Sequence, residues 1–420
     1  MSFCNTIDRL IGTNRKRKLT AEYSFTIHAK AQSLPDEDWQ KANGQHNFFL
    51  EKKYLQAMEL LHEDYMSFRY VLVYKGDQPV LAAYFQINDF TADAFGEILQ
   101  EQLQEIQSKR AKIFEQYLDH NRSRVIMRLV TNGNNFISGE HAFVYHASVS
   151  QSKAYHLLEH VIDMIGRSVK LRGRISAILI KDFYEKKLPF TNSFKEKFIE
   201  FSVEPNMEIQ IPGNVQNLSD YLGSFSKKYR NRAKSIFKAS AAIVKKELSL
   251  EEIQKYNATI YHLYEQVFEK AKFKLVKLSY DYFTEMKRRF GDRFAVHGYF
   301  KEDILIAFCS AFVLDETVEA HFIGFDYQLN KELESYQNML YHFVELSIHR
   351  GKKTLQLGRT ASEIKSTVGA KAEPLICYIH PQNTVSRLIL KPFISFLQPS
   401  DWVPRNPFKE ETEVSREQLS

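Results

Sequence analysis

RFAVHGYF (293–300), DILIAFCSAFVL (303–314) and VEAHFIGF (318–325) are three apolar-rich runs, the first two split by the turn-like Lys301-Glu302-Asp303. YQNMLYHFVELSIHRG (336–351) follows with apolar residues at helical spacing and Gly351 as its stop. TLQLGRT (354–360) reads as a short strand, and VGAKAEPLICYIH (368–380) contains the last one. Antiparallel strands, one helix, then two further strands is the order of a mixed sheet packed by helices. The expected fold class is α/β.

Within that stretch, Leu357-Gly358-Arg359-Thr360, Lys365 after it, Val368-Gly369-Ala370 and Glu373-Pro374-Leu375 resemble the C-terminal signature of FemAB-like acyltransferases of the GNAT (N-acetyltransferase) superfamily. Gln356 stands where that family often has an acidic residue, and Thr360 where it often has serine. The resemblance implies two tandem GNAT domains and transfer of an acyl or aminoacyl group to an amine. It implies no tightly bound cofactor, with acyl-CoA or aminoacyl-tRNA as co-substrate. The acceptors it implies are anionic or amine-bearing small molecules, lipids or peptidoglycan precursors. A non-catalytic GNAT-like protein that binds a peptide or lipid is the alternative, because fold does not settle function.

The rest of the chain extends this reading. Its 420 residues are too many for one ordinary core. A hydrophobic content of 44% with 26% charged residues suits a globular protein. The net charge of +6 is compatible with an anionic substrate and falls short of a nucleic-acid-binding signature. Cys4, Cys309 and Cys377 show no paired spacing and read as thiols of a reducing compartment. No secretory signal or membrane-spanning run is legible, so a cytoplasmic location is expected. The basic segment at residues 1–19, with Arg15-Lys16-Arg17-Lys18, leaves peripheral membrane contact open.

Before the deciding stretch, a hairpin, a strand, a helix and two strands recur in similar order, with Glu204-Pro205 matching Glu373-Pro374. An internal duplication is expected, with an N-terminal domain over 20–213 and a C-terminal domain over 243–398. A polar helix at about 92–121 reads as an insertion, 214–242 as a basic linking helix, and 399–420 as a disordered tail.

The candidate catalytic residues are Glu319 and His321, which alternate onto one face of a strand, and Asp326 just after it. Arg359 and Lys365 are expected to clamp a carboxylate or phosphate, or to pair internally. Gly358 and Gly369 serve the backbone, Thr360 completes the signature loop, and Tyr336 lines the pocket or packs. Lys227, Arg230, Lys234 and Lys238 share a helical face suited to a phosphorylated substrate, a tRNA acceptor stem or an anionic lipid. DYQLNKELES (326–335) reads as a loop without glycine, and HASVSQSK (146–153) as a friendlier phosphate site. No His/Cys cluster has metal-ligand spacing, so no metal is expected.

Overall fold

In the computed structural model, the described residues are 15–44, 47–91, 123–170, 177–271, 276–382 and 401–409, with isolated positions at 112–120 and 386–399. The helix expected at 92–121 and residues 1–14 and 410–420 fall outside them, apart from those isolated positions. The chain begins with β1 (Arg17–Lys18), β2 (Tyr23–His28), α1 (Asp36–Ala42), α2 (Lys52–His62), β3 (Met66–Lys75) and β4 (Gln78–Thr91). Then come β5 (Val125–Asn132), β6 (Phe143–Tyr145), α3 (Gln151–Lys170), β7 (Ala177–Tyr184) and β8 (Ile199–Gln210). Next are α4 (Leu218–Gly223), α5 (Lys227–Ala239), β9 (Val244–Glu247), α6 (Leu250–Lys255), α7 (Asn257–Glu269) and α8 (Tyr282–Phe290). The chain closes with β10 (Phe294–Lys301), β11 (Ile304–Val313), β12 (Thr317–Phe325), α9 (Tyr327–Leu333), α10 (Ser335–His349), β13 (Thr354–Gln356), α11 (Ser362–Ser366) and β14 (Lys371–Pro381).

Two compact units share these elements. The first takes Met1–Glu204, Lys272–Tyr282 and Pro374–Pro399; the second takes Pro205–Ala271, Phe283–Glu373 and Ser400–Ser420. The chain therefore passes between them inside β8 at Glu204-Pro205 and inside β14 at Glu373-Pro374. A proline cannot donate to a ladder, so it suits a point where a strand changes partners. The boundary expected near Gly213 falls inside the second unit.

In the first unit the strand order is β1-β2-β3-β4-β5-β7-β14, with β6 on β4. Among the described residues of this unit, only β5 and β7 pair in parallel, joined through α3. That helix buries Ala154, Leu157, Leu158, Val161, Ile162 and Ile165, the spacing of one apolar stripe, against the sheet. Leu390 and Ile394 join Phe90, Leu129 and Ile379 in a second cluster of this unit, so the apolar piece near the C-terminus packs into a core.

The second unit repeats the scheme with the order β8-β13-β12-β11-β10-β9, and β12 and β13 as its parallel pair. Its core lies between this sheet and α4, α5 and α10, centred on Tyr221, Ile236, Cys309, Val318, Val344 and Leu355. Part of the tail expected to be disordered is held here. Phe408 bridges Phe225 and packs edge-on against the Tyr221 and Phe225 rings, while Arg405 pairs with Glu363.

Candidate active site

In the second unit the parallel pair is short. β12 and β13 are in register only at Thr317↔Thr354, Val318↔Leu355 and Glu319↔Gln356, after which β12 continues to Phe325 paired with β11. The reason is local: Gly358 (φ 70), Thr360 (φ 68) and Ala361 (φ 50) all take the left-handed conformation and turn the chain away. Among the described residues, no strand pairs with β12 past Glu319 on this side. Past Glu319 the two strands splay, the geometry in which a strand's backbone N–H groups can meet a ligand carbonyl. On the other side β12 is bulged against β11 between Cys309 and Ala311. Ser310 fills the bulge, its Oγ donating to the Phe322 carbonyl at 2.8 Å and accepting from the Phe322 N–H at 3.1 Å. Bulges re-aim side chains next to functional sites.

Where the strands part, Glu208, Gln356 and Glu319 form a row across β8, β13 and β12. Glu319 is 4% exposed. Burial, reinforced by the nearby Glu208, holds its carboxyl well above the usual carboxylate range. Gln356 donates to Glu208 and accepts from Asn206 Nδ2 at 2.7 Å. A carboxylate at 356 would add a third acid to this row, whereas the amide can donate to its neighbour.

His321 lies on the Glu319 face, against Phe312 and Phe322 at 5.0 and 4.3 Å between ring centroids. Burial pushes its pKa down to about 3, so the imidazole is neutral near pH 7. Asp326 stands apart from these two. Its carboxylate caps α9, accepting from the Gln328 and Leu329 N–H groups at 2.8 and 3.1 Å. The stretch expected to be a loop there is thus a helix, started by this cap and ended by Glu334 at φ 49.

The signature residues divide by role. Lys365 is buried, and its Nζ donates to the carbonyls of Arg359 (2.7 Å) and Gly358 (3.2 Å), latching the left-handed turn. Arg359 is half-buried and Thr360 exposed on that turn. Gly369, at φ 101, has no room for a side chain: a Cβ would lie 2.4 Å from the Tyr221 hydroxyl. Tyr336 packs beside Phe325, and its N–H donates to Asn330 Oδ1. Lys227 is exposed at the start of α5, while Arg230 donates to the Phe225 carbonyl. The linking helix belongs to the second unit, where Tyr229, Ala233 and Ile236 face inward. Lys365→Met should cost about 1–3 kcal/mol, because two carbonyls lose their donor. Urea unfolding reads this, and a loss below about 0.5 kcal/mol would remove the latch from the account.

The first unit has its own parting, after Asn132↔Ile180. Just beyond it, Lys181 and Asp182 form a buried ion pair at 2.6 Å, with Asp182 itself at φ 66. Lys181 also donates to the carbonyls of Asn134 and Ile137, and Asp182 accepts from the Gly139 N–H. Around them, buried Thr131 Oγ1, Asn132 Oδ1, Asn135 Oδ1 and His141 Nδ1 find no hydrogen-bond partner among the described residues. Burial, with Lys181 adding to it, lowers the His141 pKa to about 4. Such a set calls for water or a polar ligand. Sequence analysis did not single out Lys181-Asp182; the signal for it is a charged pair directly after the apolar run ISAILI (175–180).

Solved structures with a similar fold include FemX (11% identity, TM-score 0.49), covering 84% of this chain and 98% of that one. A tandem GNAT protein from the clavulanic acid biosynthesis pathway has 8% identity and a TM-score of 0.49, over 86% of this chain and 99% of that one. L-PGS from Bacillus licheniformis has 8% identity and a TM-score of 0.43, over 65% of this chain and 83% of that one. No protein-family model and no curated protein matches the chain. Among the described residues, no helix is long and apolar enough to cross a membrane.

Proposed function

We propose that this chain is a FemAB-like tandem-GNAT acyltransferase that moves an aminoacyl group from tRNA to an amine of a cell-envelope or lipid precursor. The observation carrying this reading is the parting of β12 from β13 beside a buried acid, Glu319. In the proposed reaction, the open β12 edge polarises the acyl carbonyl through backbone N–H groups. The amine attacks that carbon, and a tetrahedral intermediate forms. Glu319 acts in its protonated form, which burial favours, and gives its proton to the departing ribose oxygen as the C–O bond breaks. The resulting carboxylate takes one proton from the attacking nitrogen, and an amide is left.

Helix starts bear on the choice of donor. A CoA pyrophosphate needs free N–H groups at a helix N-terminus. In the second unit those of Gln328 and Leu329 are taken by Asp326, and that of Tyr336 by Asn330. In the first unit, Ser150 Oγ accepts from the Lys153 N–H at the start of α3. These caps favour tRNA over acyl-CoA. The exposed Lys227, Lys228, Arg232, Lys234 and Lys238 of α5 supply cationic charge for its phosphates.

Binding of aminoacyl-tRNA and of acyl-CoA to the full chain tests this, beside the triple variant Lys227→Ala/Lys228→Ala/Lys234→Ala. The expected result is salt-dependent tRNA binding, weakened on the order of tenfold in the variant. Saturable acyl-CoA binding without tRNA binding would move the donor to CoA. Binding of neither, with a lipid or peptide bound instead, would favour the non-catalytic reading.

A further inference from the structure

His297 of β10 and Cys309 of β11 are register partners in the second unit, and His342 belongs to α10, the helix packed on this sheet. Cys309 shares its core with Val318, so the group lies on the sheet face opposite Glu319. One ring nitrogen of each histidine and the Cys309 sulfur all lie within 4.8 Å of one another, and all three residues are buried. The two imidazole centroids are 4.3 Å apart, and His342 Nδ1 finds no hydrogen-bond partner among the described residues.

We propose that His297, Cys309 and His342 bind a zinc ion that ties the β10–β11 hairpin to α10. One thiolate and two imidazoles are the donor types zinc takes, at about 2.0–2.3 Å. Donors of one tetrahedral ion then sit roughly 3.5 Å apart, so a small side-chain adjustment closes the set. Both imidazoles are available as neutral ligands: burial lowers His342 to about 2 and His297 to about 4. Burial pushes the Cys309 thiol up to about 12, so the ion must displace its proton. Zinc plus the thiol then gives a zinc-bound thiolate and one released proton. The Tyr299 hydroxyl, 3.6 Å from the sulfur, is placed to donate to that thiolate.

The charged groups around the site are mixed. A Glu247 carboxylate oxygen lies 3.9 Å from His297 Nε2, where it can orient the ring and offset the charge of the ion. Lys245, Lys287 and Arg350 each pair with a carboxylate, of Glu345 or of Glu247 itself. His349, two turns further along α10, also acts electrostatically on His342.

The test uses the full chain, stripped with EDTA in reducing buffer and titrated with Zn2+ or Co2+. The expected result is one equivalent of zinc, a metal-dependent rise in the thermal midpoint, and a thiolate charge-transfer band with Co2+. Cys309→Val should abolish the band and weaken zinc binding by on the order of 100-fold or more. A wild-type chain whose midpoint is the same with zinc as with EDTA, and which gives no Co2+ band, overturns the proposal. So does a band that survives in Cys309→Val, since it assigns the thiolate to another cysteine. If Cys309→Val does not fold, the wild-type band and midpoint decide, and His342→Phe takes its place.

Discussion

Glu319→Gln is expected to lower acyl transfer by on the order of 10²- to 10⁴-fold, the usual contribution of a positioned acid–base group. The amide keeps the shape of the side chain and removes its proton chemistry, so substrate binding should change little. The turnover rate should therefore fall with KM nearly unchanged, the pattern of an interaction made in the transition state. Stability should move the other way. The folded pKa of Glu319 lies well above the usual range because of burial and Glu208, whereas the unfolded value is about 4.3. Between those two values the folded chain holds a proton that the unfolded chain has lost. Unfolding free energy must then fall as pH rises through that window. Below the unfolded value this contribution is fully present; above the folded value it is gone. Glu319→Gln should abolish that decline, making the variant more resistant to urea at pH 8 relative to pH 4 than the parent. A folded variant with parental turnover removes Glu319 from the mechanism.

Lys181→Met should cost about 3–5 kcal/mol, because it leaves the Asp182 carboxylate buried without its cation. The ammonium lies 2.6 Å from that carboxylate and donates to two carbonyls, at 2.7 and 3.1 Å. Asp182 is fully buried and holds the Gly139 N–H, so it cannot turn to water without disturbing the loop between β5 and β6. Adding Asp182→Asn should recover part of the loss. It removes the charge, and asparagine tolerates the left-handed backbone at φ 66 better than most residues. Urea midpoints of parent, single and double variants form the cycle. A single-variant loss below about 1 kcal/mol would mean that the buried charge finds another partner.

Much of the fold is legible in the sequence. The runs at 293–325 alternate or repeat apolar residues at strand spacing, and each became a strand, because local periodicity reports which face is buried. The helix at 336–351 and the short strand after it were equally readable, as were the two Glu-Pro strands. Misread were Asp326–Ser335, where a single aspartate cap turned an expected loop into a helix, and the tail, which Phe408 anchors.

The candidate site was legible in part. Glu319 and His321 share a face because strand side chains alternate, and that follows from sequence alone. That Glu319 is buried, stands at the last β12 position paired with β13, and lies in a row with Gln356 and Glu208 depends on register between strands far apart in the chain. The same holds for the unpartnered polar atoms around Lys181 and for His297, Cys309 and His342. Periodicity is a property of neighbours along the chain, whereas desolvation and proximity are set by contacts between distant segments. The sequence by itself determined the elements and their inward faces; the tertiary structure alone decided which polar groups lost water together.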